Sequence, residues 1–239
     1  MVANQILPSG GTWLNLNGTQ LLLDPGPGTI VQSTKRKLRG EKLSAIILSH
    51  RHLDHSGDTN IMVEAMTQGG FRKRGWFFAP ADALGDEPVL FSYLKPYLDG
   101  ITTLGEGKSY AIGSVRFTTP VRHIHQVETY GLRFETGNHT FSYIADSLYF
   151  DGILQHYKAD LLIINVLFVE RIATVQHLTL RDAEHIISAL EPKAAILTHF
   201  GMSMWRAHPW ELADKLTRET GVRVLAARAG MTFDLAELD

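Results

Sequence analysis

The densest group of metal-binding side chains follows a short apolar strand predicted at residues 44–48. Four of the six residues at 50–55 are ligand types: His50, His52, Asp54 and His55. Residues two apart in an extended chain project to the same side, so His50 and His52 can bind one metal ion. Asp54 and His55 point elsewhere and can serve a second ion. Neutral imidazole suits zinc, iron and nickel. A solvated polar loop is the alternative interpretation, but four ligand-type side chains within six residues disfavour it.

Further ligand types come singly along the chain. His125 is our choice for a third nitrogen on the first ion, and His123, two residues earlier, remains the alternative. Asp146 and His199 each follow a predicted strand, where a scaffold commonly places functional groups. Taken alone, His199 is more typical of a packed or surface histidine. Together with the cluster at 50–55, however, these residues predict a two-metal site.

Such a site favours a particular chemistry. Two divalent ions, two aspartates and a bridging hydroxide leave about one net positive charge, which favours an anionic substrate, phosphate esters above all. A water bound to these ions becomes a nucleophile near neutral pH. Lactones and thioesters stay as alternatives, because their transition states are also oxyanions.

Composition limits the other classes of function. The chain has 239 residues, 44% of them hydrophobic, with a formal net charge of −2 and no cysteine. Disulfides and cysteine metal ligands are therefore excluded, and no dominant basic field points to nucleic acid. We expect no membrane span and no signal peptide at residues 1–5, and we expect a cytoplasmic location. Two dense basic runs, 35–39 and 72–74, are interpreted as solvated segments, with RNA binding as the weaker alternative.

The elements that position these residues alternate between strands and helices, which predicts an α/β fold of two mixed sheets packed face to face with helices outside. Helices are predicted at 29–38, 59–67, 180–190 and 210–218. Strands are predicted at 20–24, 44–48, 76–79, 114–119, 130–135, 139–145, 161–165, 194–198, 222–226 and 231–235.

The run from His50 to His55 resembles the HxHxDH motif of the metallo-β-lactamase superfamily. The resemblance covers nearly the whole chain and implies a four-layer αββα sandwich, as a single domain over 1–239 with two pseudo-equivalent αβ halves. It also implies two divalent ions, with zinc expected and manganese, iron or nickel as alternatives. The implied ligands are His50, His52 and His125 for one ion, Asp54, His55 and His199 for the other, and Asp146 as the bridge.

Residues 125–134 and 176–179 are similar to segments of ribonuclease Z and the cyclic-phosphate phosphodiesterases. The likeness implies that His177 contacts the scissile phosphate as general acid, and we assign catalytic roles to Asp54 and His177. The alternative is that His177 only neighbours a helix cap at Thr179. Residues 164–167 depart from the H-E-A-T motif of ribonuclease Z, which disfavours tRNA processing. Asp24, after a buried strand, is expected to accept a hydrogen bond from a ligand histidine.

These residues predict a dinuclear metal-dependent hydrolase whose metal-bridged hydroxide attacks a phosphodiester. Lactone or carboxylic ester hydrolysis at the same centre is the second hypothesis. A non-catalytic metal-binding or RNA-binding protein of the same fold is the third. The expected partner is an anionic small molecule or a nucleotide-like substrate, with RNA less favoured, no membrane, and self-association into a homo-oligomer left open.

Overall fold

A computed structural model describes residue 9 and residues 11–239 of the chain. Residues 1–5, where we expect no signal peptide, lie outside these described residues. The chain divides into two compact units, residues 1–116 and residues 117–239. Within the described residues, no helix combines the length and the apolar character needed to cross a membrane.

The first unit contains a five-stranded sheet in the order β1-β2-β3-β4-β5, in which β1 and β2 are antiparallel and the remaining neighbours are parallel. Because β2 and β3 run parallel with Leu23 opposite Ile47, the residues that follow both strands lie at the same edge of the sheet. That edge carries Asp24 and the histidine loop. The strands are Thr12–Leu16, Thr19–Leu23, Leu43–Ile47, Trp76–Ala79 and Gly100–Thr103.

Three helices accompany this sheet: α1 (Thr29–Lys35), α2 (Leu53–Ser56) and α3 (Thr59–Thr67). The buried side of α3 contributes Met62 and Met66 to the core that includes the strands. Removing such apolar surface from water stabilises the sheet, and a rigid sheet holds the histidine loop in place.

The second sheet has seven strands in the order β12-β11-β10-β9-β8-β7-β6. Strands β9 to β12 are parallel neighbours, and β8 pairs with β9 as an antiparallel hairpin. Its strands are Lys108–Ile112, Val115–Thr119, Leu132–Thr136, His139–Ile144, Leu161–Asn165, Ala194–Thr198 and Arg223–Ala226. The accompanying helices are α4 (Gly152–His156), α5 (Leu180–Leu190), α6 (Met202–Arg206) and α7 (Pro209–Thr220).

Most predicted elements are confirmed with ends shifted by a few residues, but the strand predicted at 231–235 is wrong. The chain there forms a 3-10 helix at Leu235–Leu238, because Asp234 accepts a hydrogen bond from the backbone of Ala236 and caps it. Strands β1, β5 and β6 and the short helices α2, α4 and α6 were not predicted. The missed strands lack the continuous apolar run that marks short strands such as β10 and β11.

Candidate metal centre

Three imidazoles lie together in the first unit. The ring centroid of His50 is 4.9 Å from that of His52 and 4.1 Å from that of His55. Asp54 joins them, with Oδ2 3.7 Å from Nε2 of His55. His50 and His55 are buried, whereas His52 and Asp54 are half-buried. Asp54 and His55 stand on the one-turn helix α2, so the six-residue motif ends in a helix rather than in a loop.

Hydrogen bonds fix which ring nitrogen carries the proton in two of these histidines. Asp24 Oδ2 lies 3.1 Å from Nδ1 of His55, and a carboxylate can only accept, so Nδ1 donates. Ser49 Oγ donates to the same carboxylate at 2.6 Å and therefore accepts from Nδ1 of His50 at 2.9 Å. In both neutral rings the Nε2 lone pair is left as the metal-binding atom. Asp24 thus contacts a histidine as expected, while the part played by Ser49 was not foreseen.

The backbone at Gly26 packs closely against the histidine loop. A Cβ atom at Gly26 would lie 1.9 Å from the carbonyl oxygen of Asp54, so the position requires glycine. The amide of Asp58 donates to the carbonyl of Pro25 at 2.8 Å, and the Asp58 carboxylate accepts from the amide of Ile30 at 2.9 Å. The Pro-Gly-Pro-Gly stretch at residues 25–28 therefore supports the ligand loop.

The second unit gathers the remaining sequence-predicted residues. One possible ligand atom from each of His125, Asp146 and His177 lies within 4.8 Å of the others. His199 is close by, with Nε2 3.6 Å from Oδ2 of Asp146 and its ring stacked on that of His177 at 5.8 Å. His199 directly follows β11 and adopts a left-handed backbone with φ of 62°, which costs a non-glycine residue free energy and is common at functional sites.

Asp146 is only 2% exposed, and a carboxylate this buried needs hydrogen-bond donors. Asn165 supplies one, from Nδ2 to Oδ1 at 2.8 Å, and His177 supplies another, from Nε2 to Oδ2 at 3.0 Å. Asn165 is the last residue of β10, the strand beside β9. From the sequence, no role at this site was predicted for Asn165, which stood only within the segment 164–167 that departs from the H-E-A-T motif. A polar side chain at the end of an otherwise apolar strand is the sequence feature that could have indicated a role for Asn165 at the site.

The hydrogen bonds of His123 and His125 separate the two alternatives. Nδ1 of His125 donates to the carbonyl of Gln176 at 2.9 Å, which leaves Nε2 with its lone pair. In His123, Nδ1 contacts the carbonyl of Asp146 at 3.4 Å and Nε2 lies 3.0 Å from the hydroxyl of Tyr157. Burial lowers the pKa of His123 to about 4, so its ring is neutral. His123 therefore has both nitrogens engaged by the protein, and the geometry favours His125 as a ligand.

His177 has the opposite tautomer to His50, His55 and His125. Its Nε2 faces the carboxylate of Asp146 and so carries a proton. Its ring lies edge-on to that of His125, with centroids 5.1 Å apart. Thr179 does cap α5, in a reciprocal capping box with Asp182. The cap and the His177–Asp146 contact coexist, so neither interpretation of this segment excludes the other.

The donor set fits divalent metal ions. Imidazole lone pairs held by partners on the far side of the ring are the usual arrangement of metal-ligating histidines. Three of the sequence-predicted ligands show that arrangement, in both units. Buried carboxylate and imidazole without cysteine suit zinc and its borderline neighbours rather than a soft copper(I) site.

Comparison with known proteins identifies the family. Residues 19–200 match the family described as the beta-lactamase superfamily domain. The chain belongs to this superfamily. It is 28% identical over 236 residues to the uncharacterised protein MJ1374 of Methanocaldococcus jannaschii, covering 95% of this chain and 87% of that protein. It is 32% identical over 146 residues to the probable metallo-hydrolase YhfI of Bacillus subtilis, covering 60% of this chain and 59% of that protein.

Solved structures show the same fold. The metallo-beta-lactamase fold protein YhfI from Bacillus subtilis superposes with a TM-score of 0.79 at 24% identity, over 92% of this chain and 89% of that one. A diphosphatase from the PhnP family superposes with a TM-score of 0.70 at 21% identity, over 98% of this chain and 90% of that one. The short form of human tRNase Z superposes with a TM-score of 0.65 at 19% identity, over 95% of this chain and 92% of that one. The predicted superfamily and the α/β fold with two mixed sheets are confirmed, and the superfamily makes the protein a metallo-hydrolase.

Proposed function

We propose that this superfamily member is a dinuclear metal-dependent hydrolase of phosphodiesters. The observation that supports the proposal is the shared geometry of His50, His55 and His125, in each of which Nδ1 lies within hydrogen-bond distance of an acceptor, which assigns Nε2 as the metal-binding atom. Zinc is the expected metal, with manganese, iron and nickel as alternatives. The proposed ligands are His50, His52 and His125 for one ion, Asp54, His55 and His199 for the other, and Asp146 for both.

In the proposed reaction, water adds across one P–O ester bond and yields a phosphomonoester and an alcohol. Bound ions would supply positive charge to the phosphoryl oxygens and acidify the attacking water. Asp54 accepts a hydrogen bond from that water. As the water oxygen adds to phosphorus, its proton passes to Asp54. His177, once Nδ1 is also protonated, gives its Nε2 proton to the departing alkoxide and is left as a neutral ring, with Asp146 holding the ring until then.

An anionic substrate is favoured by the charge of such a centre. The structural likeness to a diphosphatase and to a tRNase Z supports phosphorus esters over carboxylic esters as the substrate class. A small nucleotide-like diester is the proposed substrate. The cytoplasmic location and the homo-oligomer remain predictions.

The test is hydrolysis of bis(p-nitrophenyl) phosphate after loading with zinc or manganese. We expect turnover that falls by at least about a hundredfold in His50→Ala and Asp146→Ala, because each loses a ligand. His185→Ala is the matched control, since His185 is exposed and its side chain contacts the hydroxyl of Tyr149, away from the proposed ligands. Unimpaired turnover in the two ligand variants would overturn the proposal. A lactone panel run beside it tests the ester alternative, and metal binding without any turnover would favour a non-catalytic protein.

A further inference from the structure

The basic loop 72–74 lies against the 3-10 turn Gly40–Lys42 in the first unit. Arg74 donates from Nη1 to the carbonyl of Glu41 and from Nη2 to that of Leu43, at 2.8 Å for the latter. These bonds hold loop 72–74 against the 3-10 turn that contains Lys42. Lys42, exposed on that turn, therefore adds to the positive charge of loop 72–74.

The same loop lines a cleft of about 540 Å³, a volume within the range of ligand sites. Three cationic side chains, Arg72, Lys73 and Arg74, face one carboxylate, Asp99. That carboxylate already accepts a hydrogen bond from the amide of Gly75 at 2.7 Å. The cleft is therefore electropositive.

Arg72 and Lys73 are available to a ligand. Both are exposed, and neither forms an ion pair with any residue that the structure describes. Most other exposed arginines nearby are engaged: Arg39, for example, binds Glu41. Two adjacent unpaired cations at the rim of a cleft attract phosphate groups.

Exposed aromatic rings continue from this loop. Phe71 is 93% exposed and directly precedes Arg72. Gly70 lies against the ring of Tyr97, since a Cβ there would be 2.6 Å from it. From Tyr97 the rings of Tyr93 and Phe91 follow at centroid distances of 6.5 and 6.1 Å. Tyr97 is half-buried and packs against the core, whereas Phe71, Phe91 and Tyr93 are exposed and offer faces on which bases can stack.

This surface is separate from the histidine loop. Ser44, near the start of β3, lines the cleft, whereas His50 follows the end of the same strand. Six residues of extended chain span about 20 Å. The cleft therefore cannot be the metal-binding pocket of the first unit.

We propose that the cleft and the aromatic row, here named the basic-aromatic surface, bind single-stranded nucleic acid. The phosphate backbone lies in the cleft against Arg72 and Lys73, and bases stack on Phe71 and its neighbouring rings. The concave shape favours a strand over a lipid bilayer, which is flat. The proposal does not depend on hydrolysis, because the surface lies away from the metal ligands.

The test is the fluorescence anisotropy of a labelled single-stranded RNA of about 12 nucleotides, titrated in chelator from about 50 to about 300 mM salt. We expect binding whose affinity falls with salt. In Arg72→Glu/Lys73→Glu the affinity drops at least about tenfold and the salt dependence flattens, because two phosphate contacts are lost. The control is Lys215→Glu/Arg218→Glu on α7, which changes the net charge equally and should stay within about twofold of the wild type.

Two further measurements test whether the bound molecule is a nucleic acid. Phe71→Ala should weaken binding about five- to fiftyfold, with Trp210→Ala as the exposed aromatic control. Phe71 is almost fully exposed, so its removal leaves the fold intact. No RNA binding by the wild type at low salt, equal losses in the control variants, or capture by phosphatidylserine vesicles without RNA binding would each overturn the proposal. His50→Ala should bind RNA like the wild type, which separates this result from a failure of the hydrolase proposal.

Discussion

Single hydrogen bonds decide how the residues of the candidate centre can act. Asp24 reaches His55 directly and His50 through Ser49, so one carboxylate sets the tautomer of two rings. Positioning groups of this kind commonly change metal affinity 10- to 100-fold when removed. The functional unit at this scale is therefore the ring together with its acceptor.

The alternatives His125 and His123 can be separated by mutation. We expect His125→Ala to lower the metal bound per chain and to leave the melting temperature of the metal-free protein little changed. His123→Ala should lower the melting temperature of the metal-free protein and leave the metal bound per chain little changed, because the buried bonds to Tyr157 and the Asp146 carbonyl are lost. Metal analysis by mass spectrometry and thermal melting in chelator check both. Loss of metal in His123→Ala alone would reverse the assignment.

Asn165 is expected to position Asp146. Without the amide, the Asp146 carboxylate loses the donor at Oδ1, so Asn165→Ala should weaken metal binding about 10- to 100-fold. Competition with a fluorescent zinc chelator measures it. Ser142→Ala is the control, since Ser142 is equally buried in β9. Unchanged zinc affinity in Asn165→Ala would limit Asn165 to a structural role.

At the scale of elements, parallel strands bring ligands together. Asp146 follows β9, Asn165 ends β10 and His199 follows β11, and these strands are neighbours in one sheet. The apolar strands and α5 were predictable because their periodicity and caps are local signals. Strands β1, β5 and β6 were not, since they are largely half-buried or exposed and carry no continuous apolar run, and pairing with neighbours decides such segments.

Asp160 should stabilise the start of three strands. Hydrogen bonds from the backbone amide and then the hydroxyl of Thr140, together with the Lys193 ammonium, lower the pKa of Asp160. Its contribution is thus present above its ordinary pKa and is lost as pH falls through the lowered pKa. We expect Asp160→Asn to lose about 1 kcal/mol of unfolding free energy at pH near 7, and to match the wild type once the wild-type carboxyl is protonated.

Urea unfolding at several pH values measures that difference. Asp214→Asn on α7 is the control, as an exposed aspartate that should change stability by less than about 0.5 kcal/mol. A loss in Asp160→Asn that persists unchanged at acid pH would show that the amide disturbs packing rather than removing a charge.

For the whole molecule, bound metal should contribute to stability by mass action. At a metal concentration about a hundredfold above the dissociation constant, the gain is roughly 3 kcal/mol, or about 5 to 10 °C in the melting temperature for a chain of this size. We expect EDTA to lower the melting temperature of the loaded wild type by that amount. The melting temperature of His50→Ala should respond far less. Equal responses would place the stabilising metal elsewhere.

The sequence by itself determined the ligand types, the superfamily and most long elements. Those features are local: HxHxDH is contiguous, and helix and strand periods repeat within a single segment. Tertiary structure alone decided that both ring nitrogens of His123 are engaged, that Asn165 donates to Asp146, and that Arg74 binds the turn beside Lys42. Each of these depends on side-chain contacts between residues remote in the chain, and such contacts follow from packing, which no short stretch of sequence encodes.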